Sequence, residues 1–383
     1  MKTFIVMTCL VPVLAFAGQI ERQKAWTIHN RIAGVPPTPA VLGQMEMDLV
    51  SGNTEMAVNR AMAHDNFLAV VMKNWFKPWS NQEQTIEVEL NDFVTLAVGM
   101  VRDGRNFKEI LSADVLYTGN KAVMTSIADF ANDNNNHYRD MERNFSTTWP
   151  KDIMRVSQSG TTGMPVAGVA GAISTRAFGE AYFQAGTNRR MTRFLFKNFL
   201  CKDFEQVHDV TIPDYRVRRD VERNPGNDSR TYKNKCVGCH AGQDGLGGAF
   251  AYYNYSGNQV RYTPGNVQGK INQNGSFYPD GYVTTNDSWV NLWATGQNAS
   301  LGWDSATPKN GNGAASLGRM IANSRAFGEC MSSRAFELLC MHKPKEEDKD
   351  TIRDLTDDFM GPQNYDMKKL FTSTLTKCVV EED

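Results

Sequence analysis

The chain has 383 residues, and its 41 Lys and Arg residues nearly balance its 42 Asp and Glu residues, which gives a net charge of −1. This balance excludes the strongly basic surface of a nucleic-acid-binding protein and provides no long-range field to steer a partner. The length predicts two or three domains with a sizeable core.

Residues 1–17 have the pattern of a secretory signal peptide. A charged start at Lys2 precedes an apolar run that extends to Phe16, and small residues at positions 15 and 17 form a cleavage pattern. We therefore expect cleavage after Ala17 and export to the periplasm. The alternative is an uncleaved anchor, but the apolar run is short for a bilayer crossing. No later stretch is long and apolar enough to span, so we predict no transmembrane segment after cleavage.

Residues 18–208 predict a helical domain. Apolar side chains recur at helical spacing between Thr54 and Trp75, where the polar stretch 64–66 divides the pattern, and again between Val88 and Arg102. Residues 175–208 predict a further long helical region. It contains three clustered arginines, Arg189, Arg190 and Arg193. Their guanidinium groups could bind the propionates of a haem, although ion pairing or solvent contact is the more common role of such a cluster.

Cys236, Cys239 and His240 form a Cys-x-x-Cys-His motif, the attachment sequence of a c-type haem. Two thiols three positions apart on one helical turn can each add to a vinyl group of the same porphyrin. The next residue then offers an imidazole nitrogen to the iron. We predict one covalent haem c, with Cys236 and Cys239 as anchors and His240 as the proximal iron ligand.

A zinc site and a redox dithiol are the alternatives for this motif. Zinc needs two more ligands at typical spacing, and no second Cys-x-x-Cys or His-x-x-x-His follows in the sequence. A thioredoxin-like dithiol needs a βαβ context, which the pattern of residues does not indicate. The signal peptide favours haem, because haem c is assembled outside the cytoplasmic membrane.

Residues 209–383 predict a cytochrome-c-like helical domain with long loops and C-terminal helices. The charged stretch 209–234 predicts a linker or loop, and a Gly-rich turn after His240 offers a backbone carbonyl to its Nδ1 proton. Asn and Gly are abundant between residues 257 and 313, which indicates long ordered loops. Residues 314–341 predict the helix that packs against the motif helix.

The sixth iron ligand separates an electron carrier from an open, reactive haem. Met320 is the first candidate, because it lies after the motif at the start of the predicted packing helix. Met164 is the second, because a Met-Pro pair in a Gly-rich loop can present a thioether. The other candidates are Met331, Met341, His208 and His342. Core packing is the alternative role for each of the methionines.

Four cysteines lie outside both the signal peptide and the haem motif: Cys201, Cys330, Cys340 and Cys378. In an oxidising compartment an even number of cysteines predicts two disulfides, with three possible pairings. Buried free thiols are the alternative.

Two stretches of the chain, Thr175–Glu180 and Ser324–Glu329, have similar sequences, either through similar helix composition or through an old duplication. No second Cys-x-x-Cys-His accompanies the first copy.

Several stretches of the chain resemble the large periplasmic c-type cytochrome proteins of planctomycetes, myxobacteria and related predators. The resemblance covers most of the mature chain and is carried by Arg31–Thr38, Arg105–Asp114, Gly163–Arg190, Cys236–Leu246 and Ser324–Cys330. One departure is a glycine at position 245, where the family usually has proline. The resemblance implies a haem c protein of the periplasm, with helical domains on both sides of one cytochrome-like segment, and it implies no particular substrate.

These observations predict a mostly α-helical, periplasmic, mono-haem c-type cytochrome that transfers electrons to a redox protein partner through the exposed haem edge. One rival is a haem-dependent oxidoreductase with an open distal site, either peroxidase-like or the haem subunit of a dehydrogenase. The other is a binding or assembly protein in which haem stabilises the fold.

Overall fold

The computed structural model describes residues 11–381, with side chains from residue 18 onward. Most of the predicted signal peptide therefore lies outside the described residues. Helices hold 56% of the residues and strands 7%, which confirms the mostly α prediction. Between residues 11 and 381, no helix combines the length and the apolar character that a membrane crossing requires.

The first part of the chain is helical and is organised around a buried helix. Its helices are α1 Val11–Ala33, α2 Pro39–Val50, α3 Thr54–Met62, α4 Lys73–Phe76 and α5 Asp92–Arg102. The predicted break at residues 64–66 is confirmed, and a π-helical turn over Phe67–Met72 follows it. Helix α5 starts after Asn91, whose side chain accepts a hydrogen bond from the Val94 N–H, and every residue from 92 to 101 is buried.

The middle of the chain is less regular than its apolar pattern predicts. Its elements are β1 Leu116–Gly119, α6 Asn136–Phe145, β2 Ile153–Val156, α7 Gln158–Thr162, α8 Arg176–Phe178 and α9 Arg189–Phe199. Strands β1 and β2 pair antiparallel. The long helix predicted from residue 175 is interrupted, because Ala185, Gly186 and Asn188 adopt φ values of 56°, 66° and 61°. Such left-handed residues turn the chain and end a helix.

The last part combines short hairpins with longer helices. Its elements are α10 Ser229–Thr231, α11 Val237–Gly247, β3 Tyr253–Ser256, β4 Gln259–Tyr262, β5 Ser288–Val290, β6 Asn310–Asn312, α12 Ala314–Ala322, α13 Arg325–Cys340, α14 Lys349–Met360 and α15 Met367–Leu375. Strands β3 and β4 form one antiparallel pair, and β5 and β6 form another. The C-terminal helices fall where the sequence predicts them, with a break before α13 at Ser324.

One hydrophobic core extends across the predicted boundary at residues 208 and 209. The Lys24 ammonium donates to the Val380 carbonyl oxygen at 2.7 Å, which joins α1 to the C-terminal end of the chain. The Phe199 ring stacks on the Phe327 ring, with centroids 6.3 Å apart. The two predicted halves therefore share a core instead of forming separate ones.

The structure forms two disulfides, Cys201–Cys330 and Cys340–Cys378. It thus selects one of the three pairings that the sequence leaves open. The first links the end of α9 to α13, and its sequence separation of 129 residues is much larger than the 38 of the second.

We expect that replacing Cys201 and Cys330 together by alanine lowers the free energy of unfolding by about 2–5 kcal/mol, because the cross-link restricts the unfolded chain. The Cys340→Ala/Cys378→Ala variant should lose roughly 1 kcal/mol less, since its loop is shorter. Urea unfolding of both variants, with and without reductant, measures the difference. A loss that persists unchanged when wild type and variants are all reduced would contradict the cross-link as its cause.

The two similar stretches adopt the same local structure. Thr175 and Ser324 each cap a helix by accepting the N–H three residues on, from Phe178 and Phe327. Both phenylalanines contact the Phe199 ring, at centroid distances of 6.5 and 6.3 Å. Each stretch also contains an Arg–Glu ion pair at i,i+4 spacing. The similarity therefore extends beyond composition to capping, packing and ion pairing.

Candidate functional site

The Cys-x-x-Cys-His motif lies where a π-helical turn, Tyr232–Cys236, meets α11. Because a helix turns by about 100° per residue, positions 238, 242 and 245 share one face of α11 and positions 239, 240 and 243 lie towards the other. All three positions of the first face are glycines. We call it the glycine face.

The glycine face packs so closely against its neighbours that a side chain at any of its three positions would clash with them. A Cβ atom at Gly238 would lie 2.6 Å from His208 Nε2, and one at Gly242 would lie 2.0 Å from the Trp293 ring. A Cβ at position 245 would lie 2.7 Å from the carbonyl oxygen of Val290. These contacts fix the position and rotation of α11 and direct the motif side chains away from the core.

The motif side chains lie on the outward face. Cys236 and Cys239 are free thiols and are half-buried. The His240 side chain is 26% exposed. Burial, together with the charges of Glu205 and Asp203, raises the pKa of the Cys239 thiol. An activated redox thiol needs the opposite shift, so this environment does not favour the dithiol alternative.

A buried carboxylate lies behind His240. Asp244 is one turn further along α11, and its Oδ2 is 3.8 Å from His240 Nδ1. The Gln243 side-chain nitrogen is 3.4 Å from the same ring atom. The sequence predicted a backbone carbonyl as acceptor of the Nδ1 proton, and the structure places the Asp244 carboxylate on that side of the ring instead. Histidine ligands of metals commonly donate this proton to a carboxylate, which orients the ring, whereas the Gln243 NH2 group can only donate.

Two arginines keep Asp244 ionised. Arg189 donates from Nε and Nη2 to the two carboxylate oxygens at 2.6 and 2.8 Å. Arg218 donates from its backbone N–H at 3.1 Å and from Nη2 at 3.2 Å. Burial acts to raise the pKa of Asp244, but the charges of Arg218 and Arg189 hold that pKa well below its usual range. The carboxylate is therefore anionic at neutral pH although its side chain has no exposed surface.

Asp220 completes a buried group of four charged residues, the Asp244 network: Asp244, Arg189, Arg218 and Asp220. The Asp220 carboxylate accepts from Arg189 at 2.5 and 2.8 Å. The network balances two positive and two negative charges, as buried ions require. It also ties α9, α11 and the segment 209–234 together. Of the two predicted alternatives, linker or loop, the segment is a mostly irregular loop that packs on the protein, since its Arg218 is only 2% exposed.

The predicted arginine cluster has protein partners. Arg189 belongs to the Asp244 network, and Arg193 pairs with Asp203 at 2.6 and 2.8 Å. Arg190 donates to the carbonyl oxygen of Gln184 at 3.2 Å. The three side chains line an open groove next to Gln243. Ion pairing, the more common role, is the one that the structure gives to Arg189 and Arg193.

Met320 is connected to the glycine face of α11 through Asn291 and Trp293. Met320 is 1% exposed, and its Sδ accepts a hydrogen bond from Asn291 Nδ2 at 3.5 Å. Asn291 also accepts from the N–H of Trp293, whose ring covers the glycine face. The prediction placed Met320 at the iron because it lies after the motif, at the start of the helix expected to pack against the motif helix. In the structure Met320 is a core residue, the alternative role considered for it.

The other candidate ligands are dispersed. Met164 lines a cleft near β4, Met331 is buried in α13, Met341 and His342 line a groove beside Trp75, and His208 contacts the glycine face. Among the described residues, none of the six candidates has a hydrogen bond, ring contact or ion pair with His240. The structure thus unites Cys236, Cys239 and His240, and it places His208 against Gly238 of the same motif, on the face opposite these three side chains.

The chain matches no protein-family model, no curated protein and no solved structure. Within the described residues, no group of three or more His, Cys, Asp or Glu side chains could hold a metal ion. The donor set fits a covalent haem: two free thiols and one imidazole share an outward face, and the imidazole Nδ1 already has protein partners. Sequence reasoning missed Asp244, although its i,i+4 spacing from His240 was the available signal.

Proposed function

We propose that the protein is an exported mono-haem c-type cytochrome that transfers electrons. The observation that carries this proposal is the common outward face of Cys236, Cys239 and His240 on a helix whose opposite face is fixed by glycine packing. The two thiols would anchor a haem c through thioether bonds, and the bound haem would supply one-electron exchange at its iron.

The chain's own residues would orient and tune the axial ligand. His240 Nδ1 faces the Asp244 carboxylate, which leaves Nε2 as the free ligand atom. A carboxylate behind an axial histidine increases the basicity of the ring. More negative charge at the ring favours ferric over ferrous iron, so Asp244 should lower the reduction potential.

Two features support a periplasmic location with a redox protein partner. The residues that precede Gly18 have the signal-peptide pattern. The disulfides Cys201–Cys330 and Cys340–Cys378 are typical of an oxidising compartment. The near-zero net charge suggests that a partner docks through local contacts and not through long-range attraction.

A haem-dependent oxidoreductase is the second candidate function. It is favoured by the anionic Asp244 near His240. An open distal position would permit peroxide or small-ligand chemistry. In this case the chain's residues would hold the haem in the same way, and only the distal side would differ.

The test is the visible spectrum of the protein purified from a host that matures c-type cytochromes, followed by a pyridine haemochrome assay. We expect one covalent haem per chain. A low-spin spectrum with a Met–iron charge-transfer band would establish the carrier. A high-spin spectrum that shifts with cyanide or carbon monoxide would establish the oxidoreductase. A haem-free protein from a host that matures a control cytochrome would contradict both.

A further inference from the structure

A separate cleft lies between the polar loop 130–135, the Gly-rich turn 162–165 and strand β4. Its volume is about 180 Å³. An apolar cavity of about 150 Å³ is large enough to bind benzene. The cleft therefore has room for a ligand of about one ring. It contains none of the Cys-x-x-Cys-His residues, and it includes Met164, the second candidate for the sixth iron ligand.

The cleft has a buried floor and an exposed rim. Asp92, Tyr138 and Ser174 at the floor are 5%, 3% and 3% exposed. The rim includes the exposed Arg261 and Pro165. The rings of Phe130, Tyr138 and Tyr262 provide flat apolar surfaces among the lining residues. Aromatic walls with a few polar groups are typical of small-molecule sites.

Arg176 brings a guanidinium group with unused donor capacity to this cleft. Its Nη1 donates to Glu180 at 2.5 Å, but its buried Nε has no hydrogen-bond partner among the described residues. Buried polar groups in folded proteins are nearly always paired, so an unpaired donor on a cleft-lining side chain indicates a missing acceptor.

The lining of the cleft carries two guanidinium groups, Arg176 and Arg261, and one carboxylate. Its one acidic lining residue is Asp92, whose carboxylate accepts the backbone N–H groups of Phe93, Arg176 and Ala177 at 3.0, 2.5 and 3.0 Å. That carboxylate is committed to protein donors. The Arg261 side chain has no ion-pair or hydrogen-bond partner in the described part of the chain, so its charge remains available to a ligand.

We propose that this cleft binds a small organic carboxylate with one flat ring. The carboxylate would pair with the Arg176 and Arg261 guanidinium groups, and the ring would pack among Phe130, Tyr138 and Tyr262. This site is independent of the haem proposal, because its residues and those of the motif are different.

The experiment is a saturation-transfer NMR titration of the full-length protein with benzoate, the probe of matching size and charge. Benzamide serves as the uncharged probe of the same shape, and inorganic phosphate serves as a competitor without a ring. We expect benzoate to bind and benzamide to bind about 10- to 100-fold more weakly, because benzamide cannot form the charge-assisted hydrogen bond. Phosphate should not displace benzoate at equal concentration.

The Arg176→Gln variant should lose the same 10- to 100-fold in benzoate affinity. The matched control is Arg325→Gln, which removes the equivalent i,i+4 pair with Glu329 in the second similar stretch, away from the cleft. It should bind benzoate as wild type does. Arg261→Gln, at the exposed rim, supplies a second variant that keeps the core intact and should also weaken binding.

No benzoate binding at about 10 mM, a concentration far above that expected for a specific contact, would overturn the proposal. Equal binding of benzamide, or unchanged affinity in both Arg176→Gln and Arg261→Gln, would overturn the role of the guanidinium groups. Displacement by equimolar phosphate would show a simple anion site and would overturn the ring-bearing ligand.

Discussion

Replacing both Cys236 and Cys239 by alanine should remove all of the covalent haem that we propose, the largest effect that we expect from any change in this chain. Each thiol can form one thioether bond to the porphyrin, so without both thiols no bond survives denaturation. Haem staining after denaturing electrophoresis and the pyridine haemochrome assay measure the loss. The single variants should each keep one thioether and show a shifted haemochrome band.

The matched control for this variant is Cys201→Ala/Cys330→Ala, which also removes two cysteines but leaves the motif intact. It should retain haem in whatever protein survives purification. Covalent haem in the Cys236→Ala/Cys239→Ala variant would contradict the assignment of these anchors. Loss of haem in both variants in proportion to protein yield would show a folding defect and not a loss of attachment.

The second large effect is expected for Asp244→Ala, which should lower the free energy of unfolding by about 3–5 kcal/mol. The substitution leaves the buried Arg218 guanidinium without its carboxylate and Arg189 with only Asp220. Uncompensated buried charge is among the costliest defects in a folded protein. Urea unfolding of wild type and variant, each without haem, measures the loss.

Asp203→Ala is the matched control. Arg193 and Asp203 form the same two-point pair as Arg189 and Asp244, with the same distances of 2.6 and 2.8 Å. The Arg193 side chain is 45% exposed, whereas Asp244 is fully buried. We expect Asp203→Ala to cost about 1 kcal/mol or less, the range of exposed pairs. Similar losses in the two variants would contradict the importance of burial.

The pKa of Asp244 gives the pH dependence of this effect. Its folded-state pKa lies below that of an unfolded Asp, about 3.9, so the ionised group contributes stability above that pH and loses it as the pH falls through the folded pKa. The stability difference between wild type and Asp244→Asn should thus be constant from about pH 5 to 8 and shrink in stronger acid.

In the haem-loaded protein, the Asp244→Asn variant should have a higher reduction potential than wild type. A lowered potential would contradict the role of Asp244 behind His240.

Local signals in the sequence predict the helices well where capping and apolar spacing agree. The helix around Val94 and Ala97 is present, although it begins at Asp92 and not at Val88, because the Asn91 cap fixes its first turn. Gly104 ends this region with φ of 59°, as its position after the helix indicates. The prediction of one long helix from residue 175 is wrong, because the spacing of apolar residues does not reveal the left-handed residues close to Asn188.

The haem motif is visible in the sequence because its chemistry lies within five consecutive residues. The partners of His240 and Asp244 are less visible, since Arg189, Arg218 and Asp220 come from segments far apart in the chain. Charged residues in segment 209–234 predict solvent exposure, and only tertiary packing reveals that Arg218 is buried. The sequence likewise does not show which face of α11 the C-terminal helices cover. This packing decides whether Met320 lies near His240 or in the core.

The Cys201–Cys330 disulfide has a consequence for biosynthesis, because the loop that it closes contains both motif thiols. In a chain secreted from its N-terminus, Cys201 emerges first, and Cys236 and Cys239 emerge before Cys330. A thiol oxidase acting on the emerging chain would meet two incorrect partners for Cys201 before the correct one. Thioether formation would withdraw those two thiols from exchange. Haem attachment in the proposed cytochrome would therefore also prevent incorrect disulfides between Cys201 and the two motif cysteines. Haem-starved cells should accumulate protein in which Cys201 is paired incorrectly.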